Sequence, residues 1–375
     1  YFRKLKLINE AEYAIKPGDS KKYKISELSD EKDIKAFNTT YKSDIRTKAC
    51  DTIRVLLPAA TLTNVGIFGN GRYFQGLLTA LYSHELTEMQ DLAVAAHVEL
   101  NKVIPKFVKR ACRDNYLVNT ERNMNELTEK LLAEIQPKES KDVVMLNTSP
   151  YYFNDLVAQM LYKYSQHPLA QLREFVCSLS VEKKREIVKT YLGERRNRRD
   201  RPGRALEFGY PFAFDLIGDF GIYRDLHRER MKTQERQDLT TRLGRFIPGE
   251  IEEMGWKDKV IGVFERSESL YEKLLVDYPK EAQYVVLFGH KIRWCQGANL
   301  REELHELELR TIPQGHPSYR KLCQKMHDEI RHNYPLIGDV LKFVDHNDYY
   351  WSRAESEAKQ RIKERVLEEN LKHER

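Results

Sequence analysis

Three stretches of this chain hold residue types at spacings that could do chemistry. The first runs from Arg54 to Arg72, RVLLPAATLTNVGIFGNGR. Its apolar run stops at Pro58, polar Thr61, Thr63 and Asn64 follow, and Gly66, Gly69 and Gly71 surround Asn70. Glycine inside an element costs stability, so the cluster implies a turn or a backbone brought close to something. Asn70 and Arg72 then open an apolar-periodic helix, where an amide and a guanidinium can face a nucleotide or its phosphates. A glycine-rich turn with a surface arginine accounts for the same residues, and GNG at 69–71 is too short for a dinucleotide fingerprint. The second stretch is ANLREELHELELRT at 298–311, with Asn299, Arg301, His305 and Arg310. On a helix, 301 and 305 share a face and 310 is rotated away; a surface helix laced with Glu–Arg pairs is the competing account. The third is a run of six arginines between 195 and 204. Such a run is commonly a solvated face or loop, and its functional alternative is an anion-binding loop, because guanidinium suits phosphate oxygens. No aromatic residues interleave the arginines, which argues against a nucleic-acid patch.

Other chemistries are poorly represented. There is no GxSxG, no cluster of histidine ligands and no metal signature, so no metal is expected. Five cysteines (Cys50, Cys112, Cys177, Cys295 and Cys323) are scattered without a CxxC. That pattern argues against a disulfide framework or zinc site and for a reducing, cytoplasmic setting. The 375 residues suffice for two domains with real cores. A net charge of +6 is compatible with an anionic substrate but does not demand nucleic acid. No apolar run reaches the roughly 18 residues of a membrane span, and no secretory leader pattern is expected at the start, which is Tyr1 rather than Met.

The elements that must position these residues read as follows. Residues 1–45 form an irregular connection, with a turn at YAIKPGDS (13–20) and a helix start at SELSDEKD (26–33). From Thr47 to about Leu132 the pattern is helical, with a continuous apolar period from Tyr73 to Ala111. QPKESKD at 136–142 is the linker candidate. A short strand starts at Val143, ends in a turn within LNTSP (146–150), and is followed by a helix through Leu161. Alternation over Tyr210, Phe212 and Phe214 predicts a strand, and 224–239 reads as a charged helix. Trp351 to Arg375 reads as a helix of alternating charge, exposed or facing a partner copy.

Arg54, Leu57, Pro58, Thr63, Asn70 and Arg72 fall on the pattern Arg-x-x-Leu-Pro, Thr, Asn-x-Arg, and so this stretch resembles the C-terminal half of a flavin-dependent thymidylate synthase. A looser second copy follows. Asn299, Arg301, His305 and Arg310 keep the family's spacing, while Tyr284 and Phe288 replace the Arg and Pro. The family's Arg-His-Arg signature is met at 226–238 by His227, Arg228 and Gln234, with Leu226, Met231, Thr233, Arg236 and Asp238 departing from it. The first copy has Gly76 and Leu81 where the second has His305 and Arg310. The resemblance covers residues 46–115 and 143–335. It implies a helix-rich α+β fold of two related flavin-dependent thymidylate synthase-like domains joined near residue 138. The first (1–135) would lack its N-terminal half, which would lie upstream of Tyr1 with the complete Arg-His-Arg motif. The second would span 142–345, and 346–375 would be a charged helical tail.

For function the resemblance implies reductive methylation of dUMP to dTMP, with FAD, NADPH and methylenetetrahydrofolate, in a cytoplasmic homo-oligomer that binds neither membrane nor nucleic acid. Arg310 would be the catalytic residue. Arg54, Arg310 and Gln234 would bind substrate, and Asn70, Arg72, His227, Arg228, Asn299, Arg301 and His305 would bind cofactor. The alternative is a catalytically decayed paralogue that binds nucleotide or flavin, or serves as an oligomer scaffold. The broken signature at 226–238 favours that alternative, and the retained set at 299–310 favours the enzyme.

Overall fold

The structure is a computed structural model that describes residues 1–16, 21–146, 149–209, 211–351, 358–360, 362–364 and 366–367. In chain order, α1 (Phe2–Leu5) and α2 (Glu31–Ile53) lead through a 3-10 turn at Arg54–Leu56 to an irregular segment. Then come α3 (Gly71–Tyr82), α4 (Thr87–Val103), α5 (Pro105–Val108) and α6 (Asn115–Leu132). β1 (Val143–Met145) is followed by α7 (Tyr152–Tyr162), α8 (Leu169–Ser178) and α9 (Val181–Leu192). β2 (Phe212–Asp219), α10 (Phe220–Leu226), β3 (Thr233–Arg236), α11 (Gly249–Glu253) and α12 (Lys257–Asp277) come next. β4 (Lys291–Ala298), α13 (Leu300–Arg310), α14 (Pro317–Asn333) and α15 (Pro335–Gly338) complete the set. Many helices start where their sequence says they should. Asp30, Asn70, Asp114, Ser180, Asp219 and Asn299 each cap a helix by accepting a backbone N–H, which satisfies a donor that the first turn would otherwise leave unpaired. The fold is α+β, rich in helix with one small antiparallel sheet.

Two compact units divide the chain, with one boundary at 140/141, close to residue 138, and further boundaries at 57/58, 267/268 and 286/287. Residues 1–57 group with 141–267 and 287–375, while 58–140 group with 268–286. The second unit is built on Leu78, Val108 and Ala111, with Phe74, Tyr82, Ala96, Leu100 and Ile104 packed against them. The single apolar period expected from Tyr73 to Ala111 is three helices, broken at Ser83–Leu86 and at Ile104. Gly71 shows what its glycine is for. A Cβ there would lie 2.4 Å from the Phe107 ring, so the close approach is to the unit's own aromatic side chain. Segment 268–286 joins this unit through the Ala59 N–H to Val286 O bond (2.8 Å), the Ala60 N–H to Tyr284 O bond (3.1 Å) and the Tyr284 hydroxyl, which donates to Glu88.

The first unit holds the sheet, ordered β1-β2-β4-β3 and antiparallel throughout. β2 and β4 pair from Phe212↔Ala298 to Asp219↔Lys291. Their alternate residues Phe212, Phe214 and Leu216, and Ile292, Trp294, Gln296 and Ala298, are buried, the period-two pattern of a strand with one face on a core. α14 packs on β1 and β2 and against α10 and α13.

One expectation is corrected here, and one competing account is set aside. Residues 224–239 are not one helix: α10 stops at Leu226, and Thr233–Arg236 pair with β4 at the sheet edge. An edge strand keeps one side in water, so it tolerates the charged sequence that reads equally well as a solvated helix. α13 is not a surface helix either, since Leu300, Leu304 and Leu307 are buried together with Glu302, Glu303, Glu306 and Glu308. Of the other expectations, the strand residue Tyr210, the turn residues 17–20 and 147–148, and much of the tail (352–357, 361, 365 and 368–375) lie outside the described residues.

Candidate active site

β4 feeds directly into α13. Ala298 ends the strand, and the side chain of Asn299 caps the helix by accepting the Glu302 N–H at 2.9 Å. That fixed entry sets the rotation of α13, and Arg301 and His305, one turn apart, reach the same open cleft of about 290 Å³. Across the cleft stand Arg198 and Arg201 from the loop after α9, and Met231, Leu304 and Pro202 give it apolar lining. The loop is not merely solvated. Its first arginine, Arg195, is buried and makes a two-pronged bond to Glu308, Nη1–Oε1 at 2.9 Å and Nη2–Oε2 at 2.6 Å. Asp200 gathers the loop by accepting the Arg196 N–H at 2.7 Å. A fork-to-fork guanidinium–carboxylate pair is directional, so one arginine anchors the loop and two others face the cleft.

Carboxylates meet several of the cations around α10 and α13. Arg301 pairs with Glu207. Glu229 receives both Arg310 at 2.5 Å and His305 at 3.5 Å. Burial pushes the Glu229 carboxyl up, yet the His305 hydrogen bond and the Arg310 charge outweigh it and leave its pKa lowered. The same hydrogen bond, donated by His305 to Glu229, raises the pKa of His305 against the opposing effect of burial. Asp225 receives Arg54 and Arg228, each at 3.4 Å. Beneath the cleft the buried Lys232 ammonium donates to Glu306 at 2.7 Å and to Gln296 at 2.9 Å. Glu303, fully buried with neither carboxyl oxygen hydrogen-bonded among the described residues, has its pKa pushed well up by burial and then by the neighbouring Glu306 charge. Burial favours its neutral form, because an unpaired buried carboxylate is costly.

The structure thus brings together Asn299, Arg301 and His305 of the residues expected from sequence, with Arg310 one carboxylate away. Arg54 and Arg228 share Asp225 and do not line the cleft. His227 stacks on the Tyr223 ring at the end of α10, centroids 5.3 Å apart. Gln234 sits on β3 opposite Gln296, its amide nitrogen and oxygen both buried without a hydrogen-bond partner among the described residues. Asn70 and Arg72 belong to the other unit, where Asn70 caps α3 by accepting the Tyr73 N–H at 2.9 Å and Arg72 is exposed. The two Asn-x-Arg pairs therefore make the same local structure, a capping amide with the arginine two residues into the helix. Sequence reasoning missed Glu229, Lys232, Glu303 and Glu306. The available signal was Glu302, Glu303 and Glu306 interleaved with Leu300, Leu304 and Leu307, and it does not say which side of the helix faces the core.

Residues 156–336 match the family described as thymidylate synthase complementing protein. Among curated relatives, a UPF0159 protein of Chlamydia muridarum is 35% identical over 338 residues, which is 88% of this chain and 64% of that protein. A UPF0159 protein of Chlamydia pneumoniae is 35% identical over 334 residues, 87% of this chain and 63% of that protein. One of Thermoplasma acidophilum is 27% identical over 356 residues, 92% of this chain and 69% of that protein. The chain therefore spans less than two thirds of the length of the chlamydial relatives it matches. A solved structure described as the UMP/dUMP methylase PolB of Streptomyces cacaoi bound with 5-Br dUMP covers 53% of this chain and is itself 94% covered. Its TM-score is 0.39 and its identity 16%, a likeness that decides neither fold nor ligand. The matched residues 156–336 hold the sheet from β2 to β4, the arginine loop and α13.

Proposed function

We propose that the protein is a flavin-dependent thymidylate synthase, methylating dUMP reductively to dTMP with methylenetetrahydrofolate as carbon donor and NADPH as reductant. The observation that carries this reading is the convergence of Arg198, Arg201, Arg301 and His305 on one cleft at the start of α13, inside the family-matched segment. Three guanidiniums and an imidazole suit a dinucleotide's phosphates, and Met231 and Leu304 offer an apolar wall for a ring. FAD fits that donor set and, when bound, supplies the hydride. Arg198, Arg201 and Arg301 would hold its phosphates, with Asn299 and His305 beside them. The remaining work belongs to binding and charge. Arg310 and Arg54 would hold the phosphate or uracil carbonyls of dUMP, Arg310 being the catalytic charge. The unpartnered amide of Gln234 offers one donor and one acceptor, the complement of a uracil edge. His227, Arg228, Asn70 and Arg72 would contribute through an assembly of copies, a homo-oligomer in the cytoplasm.

A second reading, the decayed scaffold, is favoured by a specific observation. Glu207 and Glu229 already neutralise Arg301 and Arg310, so an incoming anion must compete with resident carboxylates. A visible absorption spectrum of the purified protein, taken after incubation with excess FAD and gel filtration, separates the two. A flavin spectrum that co-elutes, shifts on adding dUMP and is lost with Arg301→Ala supports the enzyme. Absence of retained flavin moves the assignment to the scaffold.

A further inference from the structure

We propose that His327, His346 and Asp328 form a binding site for a borderline divalent transition-metal ion, zinc first, which fastens the segment after α15 onto α14. Among the described residues this is the one group of three or more His, Cys, Asp or Glu side chains whose ligand atoms all lie within 4.8 Å of one another. It lies apart from the cleft, and neither its argument nor its test depends on the function proposed above.

The ring nitrogens define the chemistry. His327, on the buried side of α14, has Nε2 at 3.3 Å from the Gly338 carbonyl oxygen. A carbonyl only accepts, so Nε2 carries the proton and Nδ1 presents its lone pair. That lone pair points at Nε2 of His346, 2.9 Å away. An imidazole whose outer N–H donates to a backbone carbonyl while its inner nitrogen faces a second imidazole has the arrangement by which ligating histidines are oriented. Nitrogens each about 2.0–2.1 Å from a tetrahedral zinc stand about 3.3 Å apart, so the two nitrogens need part by only a few tenths of an ångström while both rings turn until their lone pairs converge on the ion.

His346 is preset by its flanks. The Asp345 N–H donates to Thr311 Oγ1 at 3.0 Å, Gln324 donates to the Asp345 carbonyl at 2.9 Å, and Arg320 donates to the Asn347 carbonyl at 2.8 Å. The ring is thus carried on backbone pinned to α13 and α14, while its own edge and Asp328 are exposed. Two imidazoles and one carboxylate with an open fourth position suit zinc, nickel or copper; magnesium and calcium prefer oxygen ligands throughout. Local sequence spacing does not show the pair, because 19 residues separate the histidines and only the return of the chain after α15 joins them.

The test uses the full chain stripped of metal, with zinc chloride alone as probe, titrated against a coloured chelator. One equivalent is expected to bind. His346→Ala should weaken it at least tenfold, as should His327→Gln, and Asp328→Asn should weaken it less. Zinc should raise the melting midpoint of the wild type and leave that of His346→Ala unchanged, since a ligand stabilises only the state that binds it. Cobalt(II) in place of zinc should give visible bands that His346→Ala abolishes. Zinc that binds no tighter than to the chelator, or an equivalent retained in full by His346→Ala, would overturn the site and leave a plain histidine–histidine hydrogen bond. Should His327→Gln fail to fold, His346→Ala decides alone, its ring being exposed.

Discussion

His305 is the histidine of the cleft, and its hydrogen bond to Glu229 holds its pKa above the ordinary value. A raised histidine pKa means that the charged form is favoured in the folded state. Its contribution is fully present below the unfolded value of about 6.5 and is lost as pH rises through the folded value. The same sign governs ligand binding. An anion in the cleft feels the imidazolium charge at low pH and loses it as pH climbs, while Arg198, Arg201 and Arg301 keep theirs. Because the side chain is 47% exposed, the effect on affinity should be modest, about two- to fivefold, the ~0.5–1 kcal/mol of a solvent-screened charge. Flavin or pyrophosphate affinity measured on the alkaline side of about pH 6 should therefore weaken with rising pH in the wild type. His305→Gln should be flat, meeting the wild-type curve at the alkaline end. An unchanged slope in His305→Gln would assign the titration to another group.

At the scale of elements, α13 carries the argument, because its glutamates are placed by what packs on them. Lys232 and Glu306 have fully buried side chains 2.7 Å apart, and Gln296 bonds to both. Removing one member of a buried pair leaves an uncompensated charge, a loss of about 3–5 kcal/mol, whereas replacing both with apolar residues is often neutral. Lys232→Met should accordingly lower unfolding free energy by several kcal/mol in urea, and Lys232→Met with Glu306→Leu should recover most of it. A single variant within about 1 kcal/mol of wild type would show that Glu306 simply takes up a proton. This helix also marks where sequence stops informing. The start at Asn299, the helical phase of Arg301 and His305, the strand at Val143 and the alternation through Phe212 and Phe214 are local patterns, and they were legible. The burial of α13 depends on Arg195 reaching Glu308 and Lys232 reaching Glu306, partners 113 and 74 residues away, and no local period encodes that. β3 was misread for the same reason, its charged residues becoming a strand only because β4 offers an edge. Pro105 marks the break before α5 in the sequence, but the turn after Tyr82 has neither glycine nor proline to announce it.

At the scale of the whole molecule, the unit of residues 58–140 and 268–286 shows far more apolar surface than its small core needs. Leu62 is 93% exposed and Phe68 fully so, and α6 has no buried residue although Leu117, Met124, Leu127 and Leu131 are spaced along it at seven, three and four residues. That spacing is one helical face, and an apolar stripe of this kind is ordinarily covered. Among the described residues no helix is long and apolar enough to cross a membrane. The occupant that fits the proposed function is a second copy of the chain, since that function has its site completed by several copies. Light scattering on the purified protein should then give a multiple of 44.3 kDa. Leu127→Glu with Leu131→Glu should shift it toward one copy, because each substitution removes apolar contact and sets a charge against the interface. Both residues are exposed in a single chain, at 47% and 65%, so the double variant should keep its own fold, visible as an unchanged melting midpoint of the dissociated species. Flavin retention should fall along with the mass if the cleft draws residues from neighbouring copies, and should be unchanged if one chain suffices. A single copy at every concentration tested would remove assembly from the reading.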